Sequence, residues 1–255
     1  MNYTLAEWLN LLIRWVHVFA SILWVGSTFF FTWLDGRFSE GDDKVWLVHS
    51  GGFYLIEKRK LGTEVPPKLR WFKWEAAITG MSGIALLILV YYFGGLMPDA
   101  RSIWIGVAVL IVGWAVYDGV WMSPLGKSEL AATVLVYLLV VGLTYGLCQV
   151  MGGRAAYIHI GALFGTIMVT NVWMRILPGQ RRMLAAVAAG RLPDYQLAVT
   201  AKLRSKHNTF MVLPVVFIMI SNHFPVATYG HRYNWLILSG LILAGWAVAQ
   251  QLRRA

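Results

Sequence analysis

Long apolar runs alternate with polar connections along the whole chain. Each run approaches the roughly 20 residues that a helix needs to cross a bilayer. We count about seven of these runs, at approximately 6–34, 74–95, 103–122, 130–150, 156–174, 209–222 and 233–250. The pattern predicts an all-α fold, a polytopic transmembrane helical bundle in which residues 1–255 form a single membrane-embedded domain.

The composition agrees with this pattern. Apolar residues make up 58% of the chain and charged residues 13%, whereas soluble domains average about 45–50% and about 25%. Cys148 is the only cysteine, which excludes an intramolecular disulfide and a cysteine-based metal cluster. No glycine-rich phosphate loop stands between a strand and a helix, so no nucleotide cofactor is indicated.

The positions of the basic residues predict an orientation. The chain has 22 Lys and Arg against 12 Asp and Glu, a net charge of +10. With the N-terminus outside, most of these cations fall in two long cytoplasmic loops, 35–73 and 175–207, and the external connections hold only Arg101, Arg154 and Arg232. The positive-inside rule then places the C-terminus in the cytoplasm, as expected of a multi-pass protein of a bacterial inner membrane. Anionic head groups of the lipid bilayer, rather than nucleic acid, account for the charge.

The two long loops contain segments with an expected structure of their own. Residues 45–58 are interpreted as a short amphipathic interfacial segment. The alanine-rich stretch 183–189, which follows Pro178 and ends at Gly190, predicts a helix on the membrane surface. Glycines at four-residue spacing predict close helix packing; they are Gly142 with Gly146 and Gly161 with Gly165.

A polar stripe marks the first span. Its members recur at alternating spacings of four and three residues, which places them on one helix face: Asn10, Arg14, His17, Ser21, Trp24 and Thr28. Polar groups in hydrocarbon almost always face the bundle interior or a wet cavity. Arg14 and His17 are therefore candidates for function, as a buried cation and a proton acceptor. The alternative is that Arg14 extends to the interface while His17 bonds a neighbouring helix.

Five histidines lie in or beside the predicted bundle and are candidate haem or metal ligands. Counted from the span ends, His17 lies near mid-depth, and the others divide between the two faces: His159 and His223 toward the outside, His49 and His207 toward the cytoplasm. His17, His159 and His223 form the expected metal-ligand set. Ligands from different helices leave no local spacing signature, so structural hydrogen bonding remains an alternative for each.

Acidic and amide groups within the spans are few. Glu75 shares a face with Thr79 and Ser82, and Asp118 lies near the cytoplasmic end of the third span. Each is expected to pair with a cation or to transfer protons. The expected cations are Lys73, Arg175, His49 and His207. Asn171 lies beside the face that carries His159, Thr166 and Thr170, and is a further candidate.

Several ordered segments of the chain resemble the N-terminal membrane region of the bacterial membrane-integral, cytochrome c-coupled urate hydroxylases. They are 7–10 (EWLN), 14–17 (RWVH), 46–54 (WLVHSGGFY), 71–75 (WFKWE), 160–168 (IGALFGTIM) with Asn171, 205–211 (SKHNTFM), 213–214 (LP) and 219–225 (MISNHFP). The resemblance covers nearly the whole chain, and its segments are rich in polar residues that a generic membrane helix does not need.

This resemblance implies the oxidation of urate to 5-hydroxyisourate, with b-type haem suspected and electrons passed to cytochrome c. Family members continue into a C-terminal cytochrome domain; because the sequence has no CxxCH, a separate cytochrome c or other acceptor is expected as the partner. The residues carried over are His17, His49, Glu75, His159, Asn171, His207 and His223. We expect Arg14, His17, Glu75 and Asn171 to act on the purine substrate, and the five histidines to hold the cofactor.

Two other classes of function remain open on the sequence. Gly and Pro within spans, notably Pro214, and a polar stripe are also what a purine or metal-ion transporter or channel requires. A non-catalytic membrane subunit that holds a partner is the third alternative.

Overall fold

The structure, a computed structural model, describes residues 3–38 and 43–254. Its helices are α1 (Tyr3–Phe38), α2 (Trp74–Leu86), α3 (Ala100–Met122), α4 (Glu129–Val150), α5 (Gly153–Thr170), α6 (Leu177–Ala188), α7 (Tyr195–Ser221) and α8 (Asn234–Arg254). Two strands, β1 (Lys44–His49) and β2 (Gly52–Glu57), lie between α1 and α2. Two π-helical segments, Leu87–Tyr92 and Asn171–Ile176, continue α2 and α5, and a 3₁₀ turn, Pro124–Lys127, precedes α4. The predicted all-α polytopic bundle is confirmed.

Local sequence signals fix several helix ends. The Asp99 carboxylate accepts a hydrogen bond from the backbone N–H of Ser102 at 2.7 Å, and that bond lowers the pKa of Asp99. Ser128 and Asp194 cap α4 and α7 in the same way, as small polar residues do at N-caps. At the end of α6, Gly190 adopts φ +69°. Its N–H donates to Val187 O and that of Arg191 to Ala186 O, the paired bonds of a Schellman motif.

Six helical stretches in the described part of the chain are long and apolar enough to cross a membrane. They are Tyr3–Phe38, Trp74–Tyr92, Ala100–Met122, Glu129–Val150, Gly153–Ala188 and Asn234–Arg254. The remaining predicted span corresponds to α7, whose 27 residues reach about 40 Å at 1.5 Å per residue. Lys202, Arg204 and Lys206 make its first half polar, which is why hydropathy alone does not select it.

Helix α5 is the centre of the bundle, and α1 lies at its edge. In the most apolar stretch of the helix formed by α5 and its continuation, 50% of the residues are buried inside the protein. In the corresponding stretch of α1, 11% are buried. Helices α2, α3, α4 and α7 pack on α5, whereas α1 packs chiefly on α2. Of the predicted glycine pairs, only Gly161 lies at a tight crossing, where an added Cβ would stand 2.8 Å from Ile218 of α7; Gly142, Gly146 and Gly165 have open space.

The sequence predicts a short amphipathic interfacial segment at residues 45–58 and leaves its secondary structure open. These residues fold as an antiparallel β-hairpin in which Val45 pairs with Ile56 and His49 with Gly52. Ser50 and Gly51 connect the strands with φ of +50° and +76°, as two-residue hairpin turns require. The β-branched and aromatic residues on both sides of the short Ser-Gly turn were the available sequence signal.

The second long loop, predicted over 175–207, is mostly helical. The helix of α5 passes without a break through Asn171–Ile176 into α6, which confirms the helix expected over 183–189 but attaches it to the span. Helix α7 then begins at Tyr195, well before the predicted start of the sixth span at 209. Buried contacts along its first half, rather than apolar composition, explain the earlier start.

Candidate functional site

The densest group of buried polar side chains lies where the end of α3, the π-helical continuation of α5 and the first half of α7 meet. We call it the Asp118 cluster. Its members are Tyr117, Asp118, Asn171, Arg175, Arg204, His207 and Asn208. On α7, positions 204, 207, 208 and 211 share one face by helical spacing, so the first half of α7 turns a polar face inward.

Asp118 is held by two arginines from different helices. Arg175 donates to it through Nε at 3.0 Å and also through Nη2, and Arg204 Nη2 donates to Oδ1 at 2.9 Å. The predicted pairing of Asp118 with Arg175 is confirmed. Arg204 belongs to the predicted loop 175–207, yet it is 2% exposed. Its guanidinium lies 5.1 Å from the centre of the Tyr117 ring. Two cations share one carboxylate, so the group carries a net positive charge.

A directed chain of hydrogen bonds runs through the rest of the cluster. Asn208 Nδ2 donates to Met168 O at 3.0 Å, and Asn171 Nδ2 donates to Asn208 Oδ1 and to Tyr117 Oη. Because Tyr117 Oη accepts from Asn171, its own proton points to His207 Nδ1, 2.7 Å away. The network therefore assigns the proton of neutral His207 to Nε2, which makes that nitrogen a donor.

Two buried donors beside this chain have no hydrogen-bond partner in the described part of the protein. They are Arg204 Nη1 and Trp121 Nε1. The Trp121 ring lies 4.1 Å from the His207 ring, centroid to centroid. Buried donors are nearly always paired in native proteins. Trp173 Nε1 and Trp246 Nε1 are also unpaired among the described residues, so the buried Arg204 donor is the stronger indication of a place for an acceptor.

Both π-helical segments carry residues of the candidate sites. Asn171 and Arg175 belong to Asn171–Ile176, and Tyr91 and Tyr92 belong to Leu87–Tyr92. π-Helical turns are rare and frequently mark functional positions. These helices are apolar on most of their faces, so the change of register that an extra residue causes leaves no visible break in the apolar pattern.

A second polar group lies around His159, which is fully buried near the start of α5. Its Nδ1–H donates to Ala155 O at 2.8 Å, so Nε2 accepts from Tyr92 Oη at 3.2 Å. Beside it, Tyr91 Oη and Arg154 Nε both donate to Asn222 Oδ1, at 3.2 and 3.1 Å. His159 and Asn171 are twelve positions apart on one helix, which separates the two groups by about 18 Å.

His17 joins α1 to α2. Its Nδ1 lies 3.1 Å from Thr79 O and 3.0 Å from Ser82 Oγ. The Ser82 hydroxyl donates to Ile78 O at 2.5 Å, so the shared proton is that of His17 Nδ1 and Nε2 keeps its lone pair. Of the predicted stripe on α1, His17 contacts α2 and Trp24 is buried; Thr32, one turn beyond the stripe, lies 3.4 Å from Thr209 of α7.

Four of the sequence-predicted residues lie elsewhere. Arg14 is exposed and donates to Asn10 at 3.1 Å, so it is not the buried cation that was expected. Glu75 pairs with Arg70 at 3.6 Å rather than with any of the expected cations. His49 is exposed on the hairpin beside Ser50, and His223 is exposed after α7.

The predicted metal set is not assembled. In the described residues no group of three or more His, Cys, Asp or Glu side chains is placed to hold a metal ion. His17, His159 and His223 belong to different surroundings: an α1–α2 contact, the α3–α5 interior and an exposed turn. Histidine ligands must converge on one ion, and these three do not.

The buried histidines do not fit a shared haem in this arrangement. His17 meets α2 at Ser82 and His159 meets its continuation at Tyr92, ten positions or about 15 Å along the helix. His159 contacts α3 at Gly106, and His207 contacts α3 at Tyr117. These two positions on α3 are eleven residues apart, a distance of about 16 Å along the helix. Two axial ligands must approach one iron from opposite faces, and neither pair does so.

Fold and site together define a polytopic α-helical membrane protein with a buried, positively charged polar cluster at one end of its bundle. The family model described as urate oxidase N-terminal matches residues 3–254, and the chain belongs to that family. The membership agrees with the resemblance found in the sequence. Comparisons with curated proteins and with solved structures gave no match.

Proposed function

We propose that this protein is a membrane-bound oxidoreductase that converts urate to 5-hydroxyisourate and delivers the electrons to a separate cytochrome c. The family match over residues 3–254 is the observation that carries the proposal. The hydrocarbon-exposed helices hold the enzyme in the bilayer, so that a substrate and an electron acceptor can meet it from different faces. The reaction balances as urate plus water giving 5-hydroxyisourate, two protons and two electrons, which reduce two ferric cytochromes c.

The buried charge supports an anionic substrate. Urate carries one negative charge at neutral pH, and the Asp118 cluster holds two guanidinium groups against one carboxylate. A cation in a water-poor site attracts an anion more strongly than a surface cation does, because the local dielectric constant is lower. The cluster is therefore better suited to the substrate than exposed Arg14.

The direct test uses the purified chain in proteoliposomes with urate inside and ferric cytochrome c outside. We expect the ultraviolet absorbance of urate to fall and two cytochromes to be reduced per urate consumed. Empty liposomes and liposomes without cytochrome c are the controls. Urate that crosses the membrane chemically unchanged would replace the proposal with the transporter alternative, and oxidation that appears only with another polypeptide would assign the chain as a subunit.

Haem b stays a prediction that a spectrum checks. The dithionite-reduced minus oxidised spectrum of the purified protein should show the bands of a b-type haem. Among the buried histidines, His17 alone combines a donated Nδ1 with an Nε2 that has no partner in the described part of the chain, the arrangement common in metal-bound histidine. We therefore expect His17→Ala to lose or shift those bands and His223→Ala to leave them unchanged. A featureless spectrum of the unaltered protein would contradict the haem prediction.

A further inference from the structure

The charge of the Asp118 cluster is not balanced by its own residues. Arg175 and Arg204 face the single carboxylate of Asp118. Lys206, also on α7, is already paired with Glu129 at 2.5 Å. Arg175 is partly exposed to solvent, so the cost of the unbalanced charge falls mainly on buried Arg204, and an anion beside Arg204 would offset it.

Arg204 is distinct among the basic residues. In the described part of the chain it is the one Lys or Arg that is fully buried. Its Nη2 donates to Asp118, and its Nη1 finds no hydrogen-bond acceptor among residues 3–38 and 43–254. A guanidinium presents its donors as a rigid fork suited to planar oxygen acceptors, and half of this fork is unused.

Trp121 supplies a second unused donor in the same layer. On α3, Trp121 lies one helical turn after Tyr117. On α7, which runs antiparallel to α3, Arg204 lies slightly less than one turn before His207. Helical spacing therefore brings Trp121 and Arg204 to the same depth, just beyond the Tyr117–His207 hydrogen bond. Among the described residues, Trp121 Nε1 is buried and has no hydrogen-bond partner. The hydrogen bond from Tyr117 assigns the proton of His207 to Nε2, which is therefore a third donor.

The space between α3 and α7 is filled by side chains rather than by close backbone packing. Their backbones make at most a weak contact, whereas each packs closely on α5 or its continuation. The rings of Tyr117, Trp121 and His207 occupy the gap. Arg175, whose side chain is 31% exposed, lies at its edge. A planar ligand would therefore have to take space from these rings, and the edge beside Arg175 is the partly exposed side of the cluster.

From these observations we infer that the Asp118 cluster binds the substrate anion, with Arg204 Nη1 and Trp121 Nε1 donating to its oxygen acceptors. The inference rests on the proposed function, which makes the anion urate, a planar purine with several carbonyl oxygens. The indole of Trp121 supplies a face on which such a ring can stack. Asp118 and Arg175 hold Arg204 in position and act as positioning residues.

Binding is measured separately from turnover. Purified full-length protein in nanodiscs is dialysed to equilibrium against radiolabelled urate without an electron acceptor. Trp121→Phe keeps an aromatic face but removes the Nε1–H donor together with the five-membered ring that carries it, and Arg204→Lys keeps the charge and removes the fork of donors. We expect each substitution to raise the dissociation constant of urate by about 10- to 100-fold, as expected for losing a hydrogen bond to a charged acceptor.

Arg182→Gln is the matched control, because Arg182 is an exposed cation on α6 at the same end of the bundle; its dissociation constant should stay within about twofold of the wild type. Melting temperatures check folding, and Trp121→Phe keeps the test open if Arg204→Lys does not fold. If the wild type oxidises urate and both cluster variants bind it normally, the site inference fails and the proposed function stands. If the wild type neither binds nor oxidises urate, both fail.

Discussion

At the scale of single residues, burial separates the side chains that the sequence could only group by type. Arg14 and Arg204 are both arginines within helices, yet the first is exposed and the second is 2% exposed. The chemistry of a guanidinium is the same in each, but only a buried one must be neutralised or must bind something. Asp118 is important because it neutralises the charge of buried Arg204.

We expect Asp118→Asn to destabilise the protein by about 3–5 kcal/mol, because it leaves buried Arg204 without its counter-charge. Thermal unfolding in detergent measures the change. Glu129→Gln is the control: its partner Lys206 and Glu129 itself are 33% and 57% exposed, so a loss of no more than about 1 kcal/mol is expected. Equal losses in the two variants would show that burial does not govern the Asp118 pair.

At the scale of elements, the apolar pattern located the helices but not their details. The apolar pattern shows that a segment is long enough and apolar enough to form a spanning helix. In a helix that is apolar on most faces, the pattern does not reveal an extra residue in one turn. Both π-helical segments were therefore not predicted. Helix α7 starts 14 positions before the predicted boundary at 209, because its polar first half is buried against other polar residues. The hairpin could be recognised from the residues of its turn. The start of α7 depends on contacts with other helices, which the local sequence does not show.

The crossing of α5 and α7 gives a prediction with a control on the same helix. Gly161→Ala should cost about 1–3 kcal/mol, because the new methyl group meets Ile218, which has no exposed surface and no room to move. Gly165→Ala, one turn along α5 with open space around it, should leave stability unchanged or raise it by up to about 1 kcal/mol. The melting temperature should therefore fall in Gly161→Ala and stay the same or rise in Gly165→Ala. A loss of stability in both would place the tight contact elsewhere.

At the scale of the whole molecule, α5 links two polar groups at opposite ends of the bundle. The His159 group lies toward the predicted outside and the Asp118 cluster toward the predicted cytoplasm. Of the residues expected from the sequence to act on the substrate, Arg14, His17 and Glu75 lie outside the Asp118 cluster and Asn171 belongs to it. This arrangement would take the substrate from the cytoplasm and leave the opposite face for an external electron acceptor.

The orientation stays a prediction, and cysteine labelling in intact cells tests it. Replacing Cys148 by Ser gives a cysteine-free background. We expect His231→Cys in that background to react with a membrane-impermeant maleimide from outside, and Ser50→Cys on the hairpin turn to react only after lysis. The reverse result would invert the bundle and place the Asp118 cluster outside.

The sequence by itself determined the class of the fold, because about 20 apolar residues in succession can be accommodated only by a helix in a bilayer. It also supplied the family resemblance and the residues Asp118, Arg175, Asn171 and His207 as separate candidates. Only the tertiary structure decided that these four meet, that Arg204 joins them, and that His17, His159 and His223 do not converge. Contacts between helices are set by packing across distant parts of the chain, and no local spacing records them.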